Sequence, residues 1–232
     1  MNKQDASAQL IVALDVDTLD QAQRLLDKLY PEINIFKIGP QLFTAFGPQL
    51  IDLLHKKGAQ VFLDLKYFDI PNTVALAVAA ATRLKVKMLT LHIAGGEEML
   101  KQAVEAASQE AKRINHRPPL LIGVTVLTSK PADAEEVLAL AQTGIACGLD
   151  GVVCSVREAA LLRQRIKKSF LIVTPGIRSG DSSADDQKRA ATASEAVKAG
   201  SDFLVVGRPI LKADDPLAAA KTILGDIYGA GN

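Results

Sequence analysis

A (β/α)8 barrel forming a single domain, 1–232, is the fold this sequence predicts, on three observations. Eight short apolar runs recur along the chain, helix-period segments separate them, and no low-complexity linker breaks the alternation. The runs are rich in Val, Ile and Leu and too short for helices, which suits parallel strands covered on both faces. Its 232 residues are the length of one such barrel. An open doubly wound sheet of eight strands is the alternative arrangement of the same elements.

The elements follow in order. LIVALDV (10–16) carries Asp15 near its end, and LDQAQRLLDKLY after it has helical spacing. IFKIG (35–39) holds Lys37 inside a strand. VFLDLK (61–66) closes on Asp64 and Lys66, ahead of Asp69, Pro71 and a helical NTVALAVAAATRL. MLTLHI (88–93) has His92 near its end and precedes EEMLKQAVEAASQEAKR. LLIGVTVL (120–127) brings Thr125 and Thr128 to its C-terminal end, before ADAEEVLALAQTGIAC. GVVCS (151–155) leads into REAALLRQRI, and FLIVTPGI (170–177) leads to Arg178. ASEAVKAG precedes FLVVGRPI (203–210), which contains Arg208, and a last helix follows Pro216. Gly58, Gly148 and Gly200 stand near helix ends, where glycine readily takes the left-handed conformation. Residues 1–8 are expected to be a flexible tail.

Composition excludes several classes of function. With 48% hydrophobic residues and a net charge of +1, the chain reads as a soluble globular protein. That balance gives no general attraction to nucleic acid or to an anionic membrane, so any anion must be caught locally. The apolar runs are strand-sized, and MNKQDASAQL has no long apolar segment, so a cytoplasmic location is expected. Cys147 and Cys154 lie in separate apolar contexts and read as buried free thiols. No CxxC or HExxH occurs and the histidines are scattered, so a structural zinc site is not expected.

A barrel places its chemistry at the C-terminal ends of the strands. Asp15, Lys37, Asp64, Lys66, His92, Thr125, Thr128, Arg178 and Arg208 all fall there. Any one of them alone reads as part of a solvated salt bridge. Two acids and a lysine within six residues, with charges at neighbouring strand ends, favour a built network, because partly buried charge is costly unless paired. Residues two apart on a strand share a face, which puts Asp64 and Lys66 together. A lysine between carboxylates stays protonated, making it a poor Schiff-base nucleophile but a good proton donor to a carbanion.

Anion binding is the second theme. TPGIR after strand 7 and VGRP after strand 8 each pair glycine with arginine, at the two loops where barrels frequently hold phosphate. Between them SGDSSADDQKR (179–189) reads equally as a flexible surface loop or as a lid closing over a phosphate through Gln187.

The segments ALDV, FKIG, DLKYFDIPNT, VTVLTS, VTPGIR and VVGRPI, in this order, resemble the bacterial orotidine 5′-monophosphate decarboxylases from Asp15 to Arg208. The resemblance implies a homodimeric barrel enzyme, a carboxy-lyase that makes UMP in pyrimidine biosynthesis with no metal and no organic cofactor. It implies that Lys66 donates a proton to C6 of the pyrimidine, and that Lys37, Asp64 and Asp69 complete an alternating charged network with it. Asp69 and Thr73 would reach into the partner subunit's site. Asp15 and Lys37 would hold ribose hydroxyls, and Thr128 would meet the pyrimidine edge. Gln187, Gly207, Arg208 and Arg178 would serve the phosphate end. His92 is expected to act as a hydrogen-bonding neighbour rather than a proton carrier. Pro175 either lines the pocket for departing CO2 or shapes the turn before Gly176.

Three other activities compete. A metal-dependent decarboxylase of a sugar phosphate shares the Asp-x-Lys-x-x-Asp stretch but has an acid in place of Lys37. A non-catalytic nucleotide-binding or scaffold protein on the same barrel and a Schiff-base aldolase on Lys66 are the others.

Overall fold

The computed structural model describes residues 10–127, 133–178 and 191–230. Eight parallel strands close into a barrel in sequence order. They are β1 (Leu10–Ala13), β2 (Ile35–Ile38), β3 (Gln60–Tyr67), β4 (Met88–His92), β5 (Leu120–Val124), β6 (Gly151–Val153), β7 (Leu171–Pro175) and β8 (Phe203–Val206). Parallel pairing of β1 with both β2 and β8 closes the ring, which excludes the open sheet. The expected N-terminal tail, Thr128 and Gln187 lie outside the described residues.

The helices around the barrel are α1 (Leu19–Leu29), α2 (Pro40–Phe46), α3 (Pro48–Lys57), α4 (Pro71–Arg83), α5 (Glu97–Arg113), α6 (Ala134–Ala146), α7 (Val156–Arg165), α8 (Ala193–Lys198), α9 (Arg208–Leu211) and α10 (Pro216–Ala230). Local chemistry sets many of their ends. Thr18 and Gln21 form a capping box at the start of α1, and Thr192 and Glu195 form another at α8. Pro48 and Pro71 occupy first-turn positions of α3 and α4, where the missing N–H is no loss. Gly58 takes a left-handed conformation to cap α3.

Two of these elements differ from the sequence reading. The β2-to-β3 connection holds two helices, divided at Gly47, whose φ is +51°. The apolar run read as strand 8 through residue 210 stops at Val206. Pro209 lacks the N–H that a further strand ladder would need, and Arg208–Leu211 turn into α9.

The alternation of side chains along the strands divides the apolar mass in two. Leu10, Val12, Phe36, Val61 and Leu63 face outward into the layer shared with the helices. Ile11, Ala13, Ile35, Phe62, Met88, Ile122, Val173 and Val205 face inward and fill the barrel. Two residues further along each strand, the same inward parity gives Asp15, Lys37, Asp64, Thr90, Val124, Pro175 and Gly207. The barrel interior thus passes from an apolar plug to a largely polar layer at the C-terminal ends. At the opposite end Asp150 and Asp202 accept hydrogen bonds from the strand-start N–H groups of Leu121 and Ile172.

Candidate active site

Every residue of the largely polar layer except Thr90 lines a cavity of about 440 Å³, within the range of small-molecule sites. Asp15, Lys37, Asp64 and Lys66 line one side of it. Their charges alternate as a chain. The Lys37 ammonium is 3.2 Å from Asp15 Oδ1 and 3.6 Å from Asp64 Oδ2, and the Lys66 ammonium donates to Asp64 Oδ1 at 2.7 Å. Lys37 and Asp64 are nearly enclosed, with side chains 12% and 11% exposed, whereas Lys66 is 32% exposed and turns toward the cavity. Gly39 leaves room for this arrangement: a Cβ there would stand 3.3 Å from the Lys37 ammonium.

The pairing of Asp64 with Lys66 does not come from a regular pleat. Leu63 pairs with Leu89 but Tyr67 pairs with Leu91, so Asp64, Leu65 and Lys66 bulge opposite Thr90 alone. Lys66 sits at φ +52°, a left-handed conformation that costs a non-glycine residue about 1 kcal/mol or more. Its N–H donates to Thr90 Oγ1 at 2.9 Å, and the Thr90 hydroxyl donates to Asp64 Oδ1 at 2.9 Å. The sequence reading passed over Thr90, although its parity with Met88 was visible.

Burial pushes the Asp64 carboxyl up, but the Lys37 and Lys66 charges and the hydrogen bonds from Lys66 and Thr90 outweigh it. The carboxyl is held below the usual carboxylate range. Since the folded value lies below the unfolded one, Asp64 contributes stability that is complete above the unfolded pKa. That contribution is lost as pH falls through the folded value. In thermal unfolding scans from about pH 7 to about pH 3, the Tm of Asp64→Asn should fall less steeply on the acid side than that of the native protein. Parallel curves would contradict this assignment.

Arg178, Gly207 and Arg208 line the same cavity from the β7 and β8 ends, joined by Gly176 and by Lys212, which the sequence reading missed. Val124 and Val153 make the β5 and β6 side apolar, and Pro175 also lines the cavity. Thr125 is turned away, its hydroxyl donating to the Val153 carbonyl. The His92 ring packs at a tilt on Phe68, 5.6 Å between centroids.

Asp69 and Thr73 are exposed and do not line the cavity of their own chain. The Asp69 carboxylate accepts from the Ile70 N–H next to it. Around them Phe68, Ile70 and Leu76 are 62%, 66% and 64% exposed, the large hydrophobics left uncovered among the described residues. Cys147 and Cys154 are buried free thiols, and burial pushes both thiol pKa values up. Among the described residues no helix is long and apolar enough to cross a membrane.

Comparison with known proteins adds independent findings. Residues 8–223 match the family model described as Orotidine 5′-phosphate decarboxylase / HUMPS family. A curated relative from Trichlorobacter lovleyi named orotidine 5′-phosphate decarboxylase is 45% identical, covering 98% of each chain. One of the same name from Geotalea daltonii is 43% identical over 98% of this chain and 99% of its own. The crystal structure of orotidine 5′-phosphate decarboxylase from Lactobacillus acidophilus superposes with a TM-score of 0.83 at 37% identity, covering 95% of this chain and 99% of that one.

Proposed function

The chain belongs to the Orotidine 5′-phosphate decarboxylase / HUMPS family, and from that premise we propose that it converts orotidine 5′-monophosphate to UMP and CO2 without metal or cofactor. The observation that carries this reading is an ammonium, Lys66, pinned 2.7 Å from Asp64 in a cavity that Arg178 and Arg208 also line.

Loss of CO2 from C6 leaves an electron pair in the plane of the ring, with no adjacent group to delocalise it. Catalysis must then come from stabilising localised negative charge. Lys66 meets that charge as it develops. The C6–carboxyl bond breaks, its electron pair stays on C6, and a proton passes from Lys66 Nζ to C6. The neutral amine takes its proton back from solvent. Asp64 holds the ammonium in place, and Lys37 offsets the charge of Asp64. Asp15 and Lys37 hold the ribose hydroxyls. Arg178, Gly207 and Arg208 take the phosphate, with Gln187 closing over it, and Thr128 meets the pyrimidine edge. The phosphate is remote from C6, so its binding energy is free to drive closure and exclusion of water.

The subunits pair through the face that carries Phe68, Ile70 and Leu76, and Asp69 and Thr73 from that face enter the partner's cavity. Exposed apolar side chains flanking a carboxylate and a hydroxyl support this, since large uncovered hydrophobics mark contact surfaces.

A metal-dependent sugar-phosphate reaction is disfavoured by Lys37. Its ammonium already bridges Asp15 and Asp64, the carboxylates a divalent cation would need. The deciding assay follows the ultraviolet absorbance of orotidine 5′-monophosphate in the presence of EDTA. Turnover should be the same with and without chelator. Activity that vanishes with EDTA and returns with magnesium would favour the sugar-phosphate chemistry instead.

A further inference from the structure

The bulge in β3 is held by a residue to which no role has been given. Asp64, Leu65 and Lys66 stand opposite Thr90, so the strand ladder is interrupted where the charged chain needs its geometry most. One hydroxyl closes the gap. Thr90 Oγ1 accepts from the Lys66 N–H and donates its proton to Asp64 Oδ1, both at 2.9 Å. Thr90 is fully buried and does not line the cavity, so it does not touch substrate.

We propose that Thr90 is a positioning residue: its hydroxyl fixes the left-handed Lys66 backbone and the Asp64 carboxylate together, and so sets where the Lys66 ammonium points. The geometry leaves little slack. A hydroxyl has one proton, and here it is committed to Asp64 while a lone pair receives the Lys66 N–H. Asp64 Oδ1 accepts from both Thr90 and the Lys66 ammonium, and Oδ2 faces Lys37. Rotation of the carboxylate would break one contact or another. Loss of the hydroxyl frees the bulge and the carboxylate at once.

This inference rests on the decarboxylase reading for its kinetic consequence but not for its structural one, and the two are measured separately. Thr90→Val keeps the shape and removes both hydrogen bonds, whereas Thr90→Ser keeps them. In the valine variant, hydrogen exchange of the Lys66 amide should speed up about tenfold or more, and serine should restore protection. On orotidine 5′-monophosphate, kcat should fall about 10- to 100-fold for valine with KM within about threefold, and serine should recover most of the loss. A purely structural threonine would lower Tm and leave kcat of the folded variant unchanged.

Unchanged amide protection in Thr90→Val overturns the inference whatever the activity. So does a kcat within twofold of the native value in an active enzyme. A native protein with no decarboxylase activity sinks the functional reading instead, and the exchange data still decide the role of Thr90. Should the valine variant fail to fold, Thr90→Cys replaces it in both measurements. The thiol is a weak donor, so changes of the same sign are expected, and no change would count against the proposal.

Discussion

Replacing Lys66 by alanine should lower kcat/KM for orotidine 5′-monophosphate by at least about 10⁴-fold, because in the proposed mechanism one group supplies both charge stabilisation and the proton. The loss is attributable to the ammonium alone. The backbone N–H of residue 66 remains to donate to Thr90, so the bulge that orients Asp64 stays closed. Lys37 still faces Asp64 Oδ2, so the carboxylate is not left without a counter-charge. Arg178 and Arg208, which line the cavity from the β7 and β8 ends, are untouched. Affinity for UMP, measured by calorimetry, should therefore change far less than turnover. Activity within tenfold of native in Lys66→Ala would remove the amine from the mechanism. A non-catalytic nucleotide-binding protein predicts a different pattern, with ligand affinity retained and no turnover to lose in either form. Borohydride trapping of substrate on Lys66 would point to an aldolase, but an ammonium donating to Asp64 has no free lone pair with which to attack a carbonyl.

Much of this site was legible before any coordinates, because a barrel makes strand-end position equivalent to cavity position. Asp15, Lys37, Asp64 and Lys66 were visible as charges at the ends of Val- and Ile-rich runs, and the barrel brings them into one chain of contacts. What pattern reading could not supply was the local departure from pattern. The pleat rule places Asp64 and Lys66 on one face, yet their contact depends on a bulge and a left-handed lysine that nothing in DLKYFD announces. Thr90 escaped because threonine in MLTLHI reads as an ordinary strand former. VVGRPI is apolar on both sides of the turn at Gly207, so its pattern reads as one strand where β8 ends at Val206. The uncovered Phe68, Ile70 and Leu76 needed coordinates, since burial of an apolar residue beside a turn depends on what packs over it.

That exposed face leads to the second large effect. Lys66→Ala and Asp69→Ala should each be nearly inactive alone, yet a mixture allowed to exchange subunits should regain activity. In a two-fold dimer with shared sites, a mixed pair builds one cavity from the native Lys66 of one chain and the native Asp69 of the other. Its second cavity carries both lesions. Random exchange makes half the dimers mixed, so the recovered activity should approach about a quarter of native. The single-chain geometry gives this experiment its force. Asp69 is exposed, is engaged only with the Ile70 N–H among the hydrogen bonds and ion pairs of the described residues, and lies off the lining of its own cavity. A carboxylate placed there either serves a neighbour's Lys66 or serves no catalytic purpose. Were Asp69→Ala as active as the native protein, the second alternative would hold. A mixture that stays inactive after exchange, verified by mass spectrometry of mixed dimers, would mean that each chain builds its site alone. Charge substitution at Leu76 separates assembly from chemistry: Leu76→Glu removes no polar group from either cavity, so loss of activity together with dissociation on a sizing column would trace the defect to the interface.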